Sequence, residues 1–226
     1  MESTVEYISF ISIIIPIIMM MITLKGRSRL LLGFMAMGIF VSLFSSELSG
    51  ALIRALGMKD MYKVTTSLTP IIEEILKAIP VLIYAFIISD DRQTLLSIAF
   101  AVGVGFAVLE NIVILLRAVI SNPESVSYLW ALVRGFGSGL MHAVTTMMIG
   151  VGMSQLKTRR KMIVPGIVAM LAMAAIYHAI YNSLVQTDMK YMGFILPLLT
   201  YLILLPRINE GLNIKKLIFG KEKKTV

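Results

Sequence analysis

The residues able to do chemistry are few, and lipid-soluble sequence surrounds them. Ile71-Ile72-Glu73-Glu74-Ile75-Leu76-Lys77-Ala78-Ile79-Pro80 sets two adjacent carboxylates and a lysine inside an apolar run. An ionised side chain at the centre of a bilayer costs roughly 2.5–3.5 kcal/mol on insertion scales. Glu73, Glu74 and Lys77 therefore need partners. Other apolar runs supply them: Glu110-Asn111, Arg134, His142, His178 and Asn182. A carboxylate takes a proton from water, a neutral imidazole binds a metal or moves a proton near neutral pH, and an amide donates to an oxyanion. If these groups converge, the chemistry is buried hydrolysis.

Spacing refines the reading. Lys77 follows Glu73 by four residues, which predicts an ion pair on one helix face. A salt bridge just below the membrane surface would account for that pair alone and leave Glu74 unexplained. Thr69-Pro70 reads as a helix start, a capping hydroxyl and then proline at the first helical position. Glu73 and Glu74 then fall in the second turn, where the positive end of the helix dipole favours carboxylates. Gly103 and Gly105, with Ala99, Ala101 and Ala107, let a neighbouring helix approach closely, and Gly135 and Gly139 form a second small-residue packing signal. No strand precedes Gly103-Val-Gly105, so it is not a phosphate loop. Arg134 is a permanent cation suited to neutralising one of the carboxylates. His178 and Asn182 share a helix face. A lone Glu110 would be a helix–helix hydrogen bond and a lone His142 a structural residue. Their joint occurrence on four consecutive spans favours one site.

The elements that must position these residues are membrane helices. Of 226 residues, 58% are hydrophobic, and the mean hydropathy of +0.87 lies far above that of a globular domain. The expected fold is all-α: a polytopic helix bundle forming a single membrane domain over 1–226 with seven spans. These fall at roughly 6–24, 30–53, 69–89, 94–120, 126–155, 162–186 and 190–206. Glu2 and Glu6 precede the first span and basic residues follow it, the reverse of a cleavable signal. Fourteen Lys and Arg fall on one side: Lys25, Arg27, Arg29, Arg92, Lys157, Arg159, Arg160, Lys161 and six in the 207–226 tail. Five fall on the other: Arg54, Lys59, Lys63, Arg117 and Lys190. The richer side is cytoplasmic by the positive-inside rule, which sets the N-terminus outside and the basic tail inside, along the inner leaflet. The net charge of +8 then reflects an anionic membrane surface rather than nucleic acid. There is no cysteine, which excludes disulfides and thiol chemistry. The 17 Met are packing residues.

Four pieces carry a resemblance: Glu73-Glu74-x-x-Lys77, Phe106-x-x-x-Glu110-Asn111, Arg134 followed by His142, and His178-x-x-x-Asn182. Together the sequence resembles the PrsW-type intramembrane proteases, relatives of the type II CAAX prenyl endopeptidases and bacteriocin-processing membrane proteases. The resemblance covers about 69–186, which it marks as a four-helix catalytic core. CAAX-type members usually carry Arg in place of Lys77 and His in place of Glu110, which favours the PrsW branch. Asn182 is closer to the CAAX pattern. The resemblance implies cleavage of a membrane-anchored protein in or near the bilayer, typically an anti-sigma factor at a bacterial plasma membrane, with Glu73 as the catalytic glutamate. Glu74, Glu110, His142, His178 and Asn182 join it in the expected site, supported by Lys77, Asn111 and Arg134. Two mechanisms fit these residues. Glu110, His142 and His178 form a three-ligand zinc set with Glu73 as base. Otherwise Glu73 and Glu110 activate water without metal while His178 and Asn182 stabilise the oxyanion. The rival class is an ion-coupled transporter, whose proton relays use the same residue types. Such folds show repeated halves and interrupted helices, which this sequence lacks. A membrane protein of structural or immunity type with a dead site is a third reading.

Overall fold

Apolar runs of this length satisfy their backbone groups only as helices. The computed structural model describes residues 26–89, 91–121, 128–156, 160–187, 189 and 191–209, and all regular structure among them is helical. Six long helices follow in order: α1 (Gly26–Leu56), α2 (Thr69–Ile87), α3 (Arg92–Ser121), α4 (Tyr128–Leu156), α5 (Ile163–Val185) and α6 (Met192–Asn209). They lie where six of the expected spans were placed. The first expected span, 6–24, and the tail from 210 onward lie outside the described residues, as do 122–127 and 157–159 of the connections. Among the described residues, four helices are long and apolar enough to cross a membrane: Gly26–Leu56, Arg92–Ala118, Arg134–Leu156 and Ile163–Val185. Thr69–Ile87 is 19 residues long but carries Glu73, Glu74 and Lys77. Met192–Leu204 is a shorter apolar stretch.

The turn from α1 into α2 follows from its residues. Gly57 adopts φ 61°, and Met58 N donates to Ile53 O at 3.1 Å, the glycine-terminated helix end that only a residue without Cβ forms cheaply. Asp60 then accepts from Lys63 N, and the chain is helical from Met61 onward. The α-helix begins at Thr69-Pro70 as expected, but it continues helix from Met61, so the expected cap at Thr69 is corrected. Pro70 lies inside continuous helix, where it has no N–H to give and its ring crowds the preceding turn. The chain accommodates it with a π turn over Val64–Leu68, in which Thr69 N reaches back to Val64 O. Thr69 caps nothing; its hydroxyl bonds Val64 O instead.

α3 is central, and its glycines set how close its neighbours come. A Cβ at Gly105 would overlap the Met35 carbonyl of α1, and one at Gly103 the His142 carbonyl of α4. Gly38 of α1 and Gly150 of α4 meet α3 backbone in return, at Val102 and Leu95. The expected close approach at Gly103 and Gly105 is thus present, with one helix on each. The signal at Gly135 and Gly139 is corrected, because a Cβ at either meets open space. Gly137 is the packed one, against Gly193 and the Tyr181 hydroxyl. An apolar core of Val81, Ala85, Leu95, Ile98, Ala99, Val102 and Met147 fills one half of the bundle. The ionisable residues occupy the other.

Candidate active site

α2 passes through the polar half in contact with α1, α3, α4 and α5, and its two consecutive carboxylates point about 100° apart around the helix. Glu74 turns inward, with its side chain 1% exposed. Its Oε1 accepts from Lys77 Nζ at 2.7 Å and from His178 Nδ1 at 2.8 Å. The expected Glu73–Lys77 pair is therefore corrected to Glu74–Lys77, three apart. Residues three and four apart lie on one face alike, and the position of α4 decides between them. Lys77 is fully buried and also donates to His142 Nδ1 at 3.0 Å and Thr145 Oγ1 at 3.2 Å. All three ammonium hydrogens are thereby used, and the Phe106 ring lies 5.1 Å below the charge.

An ammonium can only donate, so His142 Nδ1 is the acceptor and Nε2 carries the proton. Nε2 is 3.0 Å from Glu110 Oε2, to which it donates. The same oxygen accepts from Ser138 Oγ at 3.2 Å and stands 3.3 Å from the Arg134 guanidinium. Arg134 thus meets the expectation that it neutralises a carboxylate, and that carboxylate is Glu110. His178 donates from Nδ1 to Glu74, which leaves the Nε2 lone pair facing Glu73 Oε2 at 3.7 Å. That separation is too long for a hydrogen bond. Among the described residues, Glu73 Oε2 is buried without a hydrogen-bond partner, as is Glu74 Oε2. The two imidazoles stand edge to face, 4.9 Å apart.

Glu73, Glu74, Lys77, Glu110, Arg134, His142 and His178 are thus brought together from four helices. Asn111 and Asn182 are not in this bonding network. Asn111 Oδ1 is buried without a partner, and Asn182 donates to the Thr65 carbonyl at 2.8 Å. Asn182, expected as an oxyanion donor, bonds the π turn here. Gln186 joins it there, donating to Asn182 O and Thr65 Oγ1. Ser138, Thr145 and Gln186 had no place in the sequence reading. Ser138 and Thr145 lie one turn before and after His142, a same-face relation the sequence did contain.

The ligand set also changes. Among the described residues, the side chains whose donor atoms lie within 4.8 Å of one another are those of Glu73, His142 and His178. Glu73 stands where Glu110 was expected, because the grouping rests on mutual distance and Glu110 is not within it. Two imidazoles and a carboxylate suit zinc. The charges agree: three carboxylates face two permanent cations, and the uncompensated one ends in the unpartnered Glu73 Oε2. His142 has both ring nitrogens occupied, so holding an ion there means releasing Glu110 or Lys77.

A family model described as PrsW family intramembrane metalloprotease matches residues 26–208. No curated protein and no solved structure matches the chain.

Proposed function

Because the chain belongs to the PrsW family of intramembrane metalloproteases, we propose that it hydrolyses a peptide bond of a membrane-anchored protein at the cluster around Glu73. The family match extends well beyond 69–186, the part that first carried the resemblance, and leaves the transporter reading without support. The observation that carries the proposal is the pair formed by Glu73 Oε2 and His178 Nε2. Two groups able to accept a proton face each other at 3.7 Å without a bond between them. A water beside the pair, at hydrogen-bond distance from each, would donate to both.

Glu73 takes the proton of the attacking water and returns it to the departing nitrogen. Glu74 holds His178 in the tautomer that leaves Nε2 free, and Lys77 holds Glu74 ionised. Arg134 and Glu110, 20% and 24% exposed, form the more open side, where the peptide arrives. If the family's metal is bound, Glu73, His142 and His178 hold it, and it polarises the scissile carbonyl and acidifies water. The catalytic core is 69–186 within seven spans, with the N-terminus outside and the basic tail cytoplasmic. The substrate is a protein anchored in a bacterial plasma membrane, of the anti-sigma-factor type.

Glu73→Gln keeps the shape and removes the base. Cleavage of a membrane-anchored reporter peptide should fall about 10²–10⁴-fold, with the protein at normal levels in the membrane. Full activity in a folded variant would remove Glu73 from the reaction. Elemental analysis of the purified chain should find close to one zinc, lost in His178→Ala; active protein without zinc leaves the glutamate-water mechanism. Reporter fusions at Asp60 and Lys157 should read outside and inside respectively, and the opposite pattern would invert the topology.

A further inference from the structure

α1 supplies none of the ionisable residues of the cluster, yet it turns a polar stripe towards it. Its buried residues are Phe34, Gly38, Ser42, Ser45 and Ser49, spaced four, four, three and four apart and so on one face. Two contacts fix where that face looks. Phe34 packs edge to face on Tyr84 of α2 at 5.5 Å, and Gly38 lies against Val102 and Phe106 of α3. The serines continue the stripe along the groove between α2 and α3. The two helices α1 and α2 are antiparallel, joined at the Gly57 end. Eleven residues on from Phe34 is Ser45, and eleven residues back from Tyr84 is Glu73. At 1.5 Å per residue both lie about 16 Å along, which sets Ser45 level with Glu73 and Glu74 and Ser49 level with Thr69, one turn away.

At that depth the hydrogen bonding is incomplete on both helices. Ser45 is 1% and Ser49 7% exposed, and neither hydroxyl has a partner among the described residues. In a helix such hydroxyls ordinarily bond the carbonyl one turn back, as Thr146 and Ser97 do here. Glu73 Oε2 and Glu74 Oε2 are also buried and unpartnered. Two hydroxyls can donate or accept, and two carboxylate oxygens only accept. Water completes such a set, since it donates twice and accepts from hydroxyls, and buried waters typically make two to four bonds of this kind.

We infer that Ser45 and Ser49 of α1, with the unpartnered carboxylate oxygens of Glu73 and Glu74, form a water-holding site that supplies the hydrolytic water. This deepens the protease reading and rests on it for the use of the water, though not for its presence. Serine hydroxyls do for the groove what bulk solvent does for a soluble hydrolase, at a depth where lipid excludes it.

The chain has no cysteine, so single thiols can report local water. Ser45→Cys and Ser49→Cys, each in the full chain in lipid nanodiscs, are exposed to X-ray-generated hydroxyl radicals, which oxidise side chains next to bound water. Val81→Cys, in the apolar core at 0% exposure, is the dry control. The thiols introduced at 45 and 49 should oxidise about tenfold faster than the control, in proportion to the ordered water each touches. Oxidation as slow as the control at both positions overturns the site, whatever the enzyme's activity. Ser45→Val should lower kcat on the reporter peptide about tenfold with KM unchanged, the loss of one hydrogen bond that matters only in reaction, and Ser45→Thr should restore it. An unchanged kcat in Ser45→Val overturns the supply role. Fast thiol oxidation in a chain that cleaves no peptide leaves the water site standing and sinks the protease reading instead.

Discussion

The two halves of this bundle are held by opposite means. Around Gly38, Gly103, Gly105 and Gly150, helices meet backbone to backbone with apolar filling from Ala99, Val102 and Met147. Around Glu74 and Lys77, helices meet through a chain of hydrogen bonds from His178 to Arg134. In lipid the first arrangement needs only close contact, because tails and side chains are equally apolar. The second leaves charged groups that must each be matched, and a missing partner is costly. A fold needing stability alone would extend the first half throughout. The second half therefore marks where the structure serves chemistry.

The largest test removes one partner from the polar half. Lys77→Met strips three hydrogen bonds and leaves Glu74 buried without its cation, which should cost about 3–5 kcal/mol in reversible unfolding from detergent micelles. Glu74→Leu combined with Lys77→Met removes both charges and should bring stability back close to that of the parent. Cleavage should stay lost in the double variant, because His178 no longer has the carboxylate that orients it. Recovered cleavage would mean that the buried pair serves packing only, and the contrast between the halves would fail.

The glycine seam comes next. Gly105→Leu drives a side chain into the Met35 carbonyl and should cost about 3 kcal/mol, whereas Gly135→Ala, facing open space, should gain about 0.5–1 kcal/mol from helix propensity. Unfolding of the two variants side by side checks this. Equal effects would remove the distinction between packed and unpacked glycines.

The smallest effect lies outside both halves, at the start of α3. Asp91 Oδ2 accepts from Thr94 Oγ1 at 2.6 Å and Thr94 N at 2.8 Å, and these bonds hold its carboxyl below the usual carboxylate range. A carboxylate depressed in the folded state contributes above its ordinary pKa and loses that contribution as pH falls through the depressed value. Asp91→Ala should cost about 1 kcal/mol at neutral pH, as for other helix caps, and progressively less as acid protonates the parent. A cost independent of pH would assign the effect to packing.

The sequence disclosed the cluster because an ionisable residue in an apolar run is conspicuous by its solvation cost alone. Glu73, Glu74, Lys77, Glu110, Arg134, His142 and His178 were all legible on that ground. Their pairing was not. Whether Lys77 takes Glu73 or Glu74 depends on where α4 and α5 stand, which no spacing within α2 encodes. The same holds for the ligand set, since which carboxylate lies near both imidazoles depends on how α2 and α3 stand against α4 and α5. Gly137 was hidden between Gly135 and Gly139, because a glycine declares a close approach without saying which side it is on. The serines of α1 escaped notice because a hydroxyl in a helix can bond its own backbone and so carries no obvious cost.

The π turn at Val64–Leu68 has a consequence for chain length. Such a turn is a helix carrying one residue more than its α-helical equivalent. Losing one residue there would return the segment to ordinary helix and leave both Met61–Lys63 and everything from Thr69 onward in phase. Losing one between Glu74 and Lys77 would instead turn Glu73 and Glu74 by about 100° against Lys77 and so away from His178. Indels a few residues apart would thus have opposite fates. The turn is a slack coil in the line leading into the site, able to shorten without detuning it.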